Sequence, residues 1–421
     1  MRQILEFRPV KWSAFVRRFL SISIVGSAVV LAVSLASAGG VAACTRPSDV
    51  PPPASGRTLT VGPSGQYSTV QAAANAAQAG DNVQIAPGTY SGGLSIKNNG
   101  SSGNYVTFYG DGGTAVISGS TGISIGNHSW QRFIGVTSKG SSRFGANSNG
   151  AHDLVFQNFG IDGSQDGGLV ALNTQNILVD GCDVHGTNAR GTSADHEAMT
   201  MGSGSSNIEI KNCKVHDNGE EGIDVKYDDN AQAKIHDNVV TGNRGPNIYV
   251  DGSSHVQIYN NVSTGTTNNT KAGIMLAVEN YSDSRKTDDI RVYNNVLTKN
   301  AQAGLDFWIE EDGTLSNIQV VNNTFFGNAR GAVRFDTDSF DGQNVLRNNI
   351  YAEGNVSNGA FTSDHNVTGD PGFVNPGAGD FHLADGSKAI DTGSATGAPA
   401  FDLENHPRPA GAGYDIGAYE R

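Results

Sequence analysis

Two short stretches hold most of the side chains that could do chemistry. One is Asp195-His196-Glu197; the other is Glu220-Glu221-Gly222-Ile223-Asp224-Val225-Lys226. In a strand, successive side chains alternate faces, so Ile223 and Val225 would point one way and Asp224 and Lys226 the other. Glu220 and Glu221 then lie at the turn entering that strand, and Asp195 and Glu197 at the equivalent turn one unit earlier. Five carboxylates, Asp195, Glu197, Glu220, Glu221 and Asp224, gather around one lysine. Carboxylates this dense repel one another, so either some are protonated or a hard cation sits among them. Ca²⁺ suits an all-oxygen set of this kind.

These residues need a scaffold that brings successive segments side by side, and the sequence repeats one. Asn207-IEIKNCKVHDN, Gln232-AKIHDNVVTGN, His255-VQIYNNVSTGT, Asp289-IRVYNNVLTKN and Asn317-IQVVNNTFFGN share a template. Each alternates apolar and polar residues, reaches an anchor, alternates again and closes on Asn or Gly. The anchors are Phe159, Cys182, Cys213, Asn238, Asn261, Asn295, Asn323 and Asn349. Between them lie further alternating stretches, among them Gly222-IDVK, Asn247-IYVD, Gly273-IMLA, Gly304-LDFW and Gly331-AVRF. Short period-2 strands joined by Gly/Asn/Asp turns and repeated along the chain predict an all-β solenoid: a right-handed, single-stranded parallel β-helix with three sheets.

Stacking coils about 4.8 Å apart assigns neighbours. Tyr249 falls beside Asp224, and Asp251 beside Lys226. Asp306 and Trp308 occupy the same two columns further on, with Trp308 three coils, about 14 Å, from Lys226. Asp251, Trp308, Asp306 and Glu279 are the expected substrate-binding residues. A repeated buried Asn predicts an amide ladder between coils. Cys182 and Cys213 share that column in adjacent coils, at a spacing that would allow a disulfide, the alternative being two buried thiols.

Tyr67 to Ala79 reads as a capping helix with Ser68 or Thr69 as N-cap and Gly80 as stop. Residues 1–43 hold five basic residues and an apolar run from Phe19 to Ala43, an export signal. Val41-Ala42-Ala43-Cys44 resembles a bacterial lipobox, which would make Cys44 the lipidated first residue. Cleavage after Ala36-Ser37-Ala38, or retention as an anchor, is the alternative. Residues 44–57 form a Pro/Ser-rich linker, 58–365 the β-helix and 366–421 a C-terminal cap. The tail motifs Asp370-PGFVNP, Asp380-FHLADGSKAID and Asp415-IGAYE resemble a choice-of-anchor segment. The chain of 421 residues has 28 Lys+Arg against 41 Asp+Glu, a net charge of −13. That deficit of cations argues against nucleic acid as a partner. A monomer at the cell surface or outside the cell is expected.

Ser193-AD-HEAM followed by Asn212-CKVHDNGEEGIDVK resembles the calcium-site segment of family-nine pectate lyases. The resemblance implies Ca²⁺ held by Asp195, Glu220, Glu221 and Asp224. Glu-Glu replaces that family's Asp-Asp, and its later catalytic lysine falls on Met275. The segment also resembles family-six alginate and chondroitin lyases, in which a ligand glutamate precedes the lysine base by five residues, as Glu221 precedes Lys226. Their partner arginine has no counterpart in Asn247-IYVD, and Arg244 is the nearest substitute. The resemblance implies a calcium-dependent polysaccharide lyase acting on an acidic, uronate-containing polymer by β-elimination, with neutral Lys226 taking the C5 proton and Tyr249 protonating the leaving oxygen. A glycoside hydrolase on the same scaffold and a non-catalytic glycan binder are the alternatives. The absence of Cys/His sets at ligand spacing speaks against zinc and thiol chemistry.

Overall fold

The computed structural model describes residues 56–110 and 115–421. The export signal, Cys44 and most of the linker lie outside the described residues. Within them the chain winds as a right-handed parallel β-helix of about twelve turns. Its three sheets contain 14, 10 and 12 strands, each strand pairing in parallel with its equivalents one coil before and after. The core is a column of inward side chains from every coil. Phe108, Phe133 and Phe156 stack within it at 5.2 and 5.6 Å between ring centres.

The expected anchor column is present. Asn238, Asn261, Asn295, Asn323, Asn349 and Asn366 form a chain of amide-to-amide hydrogen bonds of 3.0 to 3.2 Å. Each Oδ1 also accepts the main-chain N–H of the preceding member. The residue before each position of the column has a positive φ: Asn158, Gly181, Asn212, Asp237, Asn260, Asn294, Asn322, Asn348 and His365. Asn and Asp tolerate the left-handed region better than other L-residues, so the recurrent Asn-Asn pair is one turn residue followed by one ladder residue. Cys182 and Cys213 continue the column. Here each is a buried thiol that donates to a main-chain carbonyl, the second of the two alternatives the column allows. The Cys182 N–H points at the Cys213 sulfur at 3.4 Å, so the pair takes the place of two ladder amides.

The capping helix is shorter than expected, Val70–Ala76. The Thr69 hydroxyl caps it by accepting the Ala72 N–H. It ends before Gly80 because the Asp81 carboxylate draws the chain away, accepting the Gln78 N–H at 2.8 Å while pairing with Arg57. A strand, Thr58–Val61, precedes the helix and pairs with Asn82–Ile85, so the first coil starts before the helix. At the other end the last strands of the coils are Phe361–Asp364 and Val367–Thr368, followed by an antiparallel pair, Phe373–Asn375 and Asp380–Leu383. The remaining chain folds back against the outer face of the 12-stranded sheet. Phe373, Phe381, Leu383, Ile416 and Tyr419 pack there on Val262, Val296 and Ile350.

Candidate functional site

The 10-stranded sheet carries most of the residues expected to do chemistry. Its outward columns follow from the pairing register. One runs Val170, Thr200, Asp224, Tyr249, Met275, Asp306, Arg334; the other runs Leu172, Gly202, Lys226, Asp251, Ala277, Trp308. Tyr249 therefore stacks on Asp224, Asp251 on Lys226, and Asp306 and Trp308 lie two coils beyond, as the repeat spacing predicts. Outward does not mean exposed. Asp224, Asp251 and Asp306 are fully buried and Lys226 is 9% exposed, because side chains from the bordering turns close over them.

Lys226 sits at the centre. Its Nζ donates to Glu197 Oε1 at 2.7 Å and lies 3.3 Å from Asp224 Oδ2. Glu197 is fixed from the other side by the Thr200 hydroxyl, which donates to Oε2 at 2.7 Å. Glu220 pairs with Arg244 at 2.8 Å, and Glu221 faces Lys271 at 3.8 Å. Asp195 stands apart, half-exposed beside Arg143. The expectation of five carboxylates around a single lysine is thus corrected: Arg143, Arg244 and Lys271 reach in from turns and match the acids nearly one for one. Among the described residues no three His, Cys, Asp or Glu side chains converge as a metal site.

Burial and charge set the protonation pattern. Burial alone would lower the Lys226 pKa, but the charges of Glu197 and Asp224 outweigh it and raise it, so ammonium is the resting form. Burial opposes ionisation of Glu197, yet the Lys226 charge and hydrogen bond hold its pKa below the ordinary carboxylate value. Glu221 is pushed up to about 7, by burial first and the nearby Glu197 charge second. Asp224 is raised by burial against the pull of Lys226. Glu197 and Glu221 therefore hold opposite protonation preferences within one cluster.

A second network adjoins it. Tyr249 and Tyr227 donate their hydroxyls to the two oxygens of Glu279, at 2.9 and 3.1 Å, and Asp251 accepts the Glu279 main-chain N–H at 2.7 Å. Burial raises the Tyr249 pKa, with the Asp251 and Glu279 charges adding to it, so the phenol keeps its proton. Burial, followed by the Glu279 charge, raises Asp251 to about 8. Beyond Tyr249, Met275 and Ala277 form an apolar strip that ends against the partly exposed Trp308.

The structure thus brings Glu197, Asp224, Lys226 and Glu221 together, sets Glu220 with Arg244 at their edge, and joins Tyr249 to Glu279 and Asp251. Thr200, Tyr227 and Lys271 were missed. Lys271 precedes its strand by the same count as Glu220 precedes its own, two coils earlier, a signal that counting back from Gly273 would have found. Tyr227 simply follows Lys226, and no periodicity marks it.

The sequence of residues 92–263 matches the family model for a right-handed β-helix region. No curated protein matches the chain by sequence. Among solved structures, pectate lyase Pel9A superposes with a TM-score of 0.53 at 15% identity, covering 87% of this chain and 97% of its own. The PL6 family polysaccharide lyase Pedsa3628 from Pseudopedobacter saltans gives 0.49 at 14% identity, covering 82% and 100%. An alginate lyase from Paenibacillus sp. str. FPU-7 gives 0.41 at 15% identity, covering 68% and 99%. At 15% identity the likeness to Pel9A bears on the fold alone.

Proposed function

We propose that this protein is an exported lyase that cleaves an acidic, uronate-containing polysaccharide by β-elimination on the face carrying Lys226. The observation that carries the reading is the buried Lys226–Glu197–Asp224 cluster, beside a hydrogen-bonded tyrosine and along an apolar strip ending in a tryptophan. Pel9A, similar in fold, is by its name a pectate lyase.

In β-elimination the C5 proton passes to a base and its electron pair forms the C4=C5 bond. The C4–O bond breaks, and a proton goes to the departing oxygen. Lys226 is assigned to the C5 proton. Its own proton must leave first, and Glu197 at 2.7 Å is the acceptor at hand. Burial disfavours both charges of that pair, so a polymer that covers the groove and excludes water shifts it toward neutral amine and neutral acid. Arg244 and Lys271, at the groove edge, would neutralise the uronate carboxylate, without which the C5 proton is scarcely acidic. Tyr249, which keeps its proton and is oriented by Glu279, would supply the departing oxygen.

The carboxylates as they stand do not fit a metal ion, since the chain's own cations occupy them, and no step here depends on one. The calcium expected from the sequence is therefore decided by chelation. The test is ultraviolet absorbance of unsaturated uronate from a panel of polyuronates, with Ca²⁺ and with a chelator. Product formation that Lys226→Ala abolishes supports the reading; a flat trace from folded protein across the panel overturns it. Activity lost on chelation would restore calcium to the site.

The Glu197–Glu221 split favours one second reading. A carboxylate held ionised beside one held near neutrality is the acid–base division used by glycoside hydrolases. Reducing ends that appear without ultraviolet absorbance would select it. Export by the N-terminal signal, a lipid anchor at Cys44, a monomeric state and a choice-of-anchor role for residues 366–421 complete the proposal.

A further inference from the structure

Further along the same face a cavity of about 290 Å³ opens, lined among others by Lys271, Gln302, Asp306, Trp308, Arg330 and Arg334. That is just below the range for ligand pockets, about 300–1,000 Å³, and enough for a single sugar ring. Its floor is short of donors. No hydrogen bond of good geometry reaches Oε1 of Gln302, and the Asp306 carboxylate has only poorly aligned approaches from the Phe307 N–H and the Gln302 amide, although all three atoms are buried. Buried acceptors left in this state are costly, so the pocket suits a ligand rich in hydroxyl donors. Its rim has a spare cation. Arg334 is paired with Asp336 and Lys271 faces Glu221, whereas no carboxylate pairs with the exposed Arg330 among the described residues. Its wall is the partly exposed Trp308 ring.

We propose that this cavity is a subsite for one acidic sugar residue: its ring hydroxyls donate to Asp306 and Gln302, its apolar face lies on Trp308, and its carboxylate is held by Arg330. The inference rests on the reading of the ligand as an acidic polysaccharide and adds a binding site beyond the cleavage centre. Hydroxyl donors, an apolar ring face and one negative charge coincide in a uronate. A neutral sugar leaves Arg330 unused, and a phosphate supplies neither hydroxyl donors nor a face for the ring.

The test uses methyl uronosides of galacturonate, glucuronate, mannuronate and guluronate, which carry no sugar at O4 and cannot be cleaved. Ligand-observed NMR saturation transfer to the mature chain reads their binding, with methyl glucoside as the neutral control. At least one uronoside should bind and the control should not. Arg330→Gln should weaken binding about tenfold, Arg330→Lys should restore part of it, and Trp308→Ala should abolish it. Arg330 is exposed, so its variants are expected to fold. The proposal is overturned if no uronoside binds, if the neutral glycoside binds equally well, or if Arg330→Gln changes nothing. Uronoside binding without elimination on any polymer would sink the lyase reading and leave the subsite standing. Elimination whose KM ignores Arg330→Gln would do the reverse.

Discussion

The asparagine ladder and the groove columns are built by the same operation, the stacking of equivalent residues coil upon coil, yet they solve opposite problems. In the ladder one residue type repeats, and every amide from Asn238 to Asn349 donates to the next and to a main-chain carbonyl. In the groove the type changes at each step: Thr200, Asp224, Tyr249, Met275, Asp306. Carboxylates there are buried without full hydrogen bonding. A buried polar column that is satisfied contributes stability. One that is left short costs stability, and its persistence marks a surface shaped for something other than folding. The contrast separates scaffold from site without reference to any other protein.

The sharpest way to break that contrast is to cut each region once. Lys226→Ala should lower turnover on the responsive polyuronate by about 10²–10⁴-fold, the range for loss of a general acid–base group. Circular dichroism should show the β-helix retained. Asn295→Ala removes the middle of the ladder and leaves several buried partners unpaired. It should cost about 3 kcal/mol in urea unfolding while the folded fraction keeps its activity. If the ladder variant loses turnover per folded molecule as severely as the lysine variant, the division between the two regions fails.

Much of this contrast was legible in the sequence. Period-2 alternation and the recurrent Asn-Asn pair fix the strands and their register, and register alone puts Tyr249 on Asp224 and Asp251 on Lys226. What strand periodicity could not reach was the pairing of the turns. Arg244 was among the expected residues and Lys271 keeps the count of Glu220 before its strand, but which acid each cation meets, like the place of Arg143 beside Asp195, is set by turns of unequal length. The burial of the outward face has the same origin. So does the course of the C-terminal chain, whose apolar residues meet the outer face of the 12-stranded sheet through contacts far apart in sequence.

An intermediate effect should appear with pH. Burial, with the Asp336 charge adding and Arg334 opposing, raises Asp306 from an ordinary value of 3.8 to about 7. A carboxyl group whose folded pKa is raised binds its proton more tightly folded than unfolded. Its stabilising contribution is therefore complete below pH 3.8 and is lost as pH rises through 7. Full loss corresponds to at most about 4 kcal/mol. Asp306→Asn, which imitates the protonated acid, should leave Tm nearly unchanged at pH 4 and raise it at pH 8. A variant less stable than the parent at pH 8 would show that the ionised carboxylate is held by partners, and the floor of the cavity would then be satisfied after all.

The smallest expected effect tests the ladder where it stops. At Cys213 an Asn would continue the column. The Cys182 N–H, now facing sulfur at 3.4 Å, would meet an amide oxygen, and the new Nδ2–H₂ could donate to the Asn238 oxygen, which already accepts the Cys213 N–H. Sulfur is a weak acceptor, so the exchange should gain about 0.5–1.5 kcal/mol, the net value of one ordinary hydrogen bond. The cost is the fit of a larger side chain in a position that is fully buried, and overpacking of that kind can cancel the gain. The neighbouring ladder members bear on which effect wins, because Asn238 and Asn261 occupy the equivalent position in the next two coils at 1% and 0% exposure, so the turn accommodates the amide elsewhere without change of path. Chemical denaturation of Cys213→Asn should therefore show a small stabilisation with activity unchanged. A clear destabilisation would mean that the thiols are themselves fitted to their coils and that the ladder ends at Asn238 for reasons of shape.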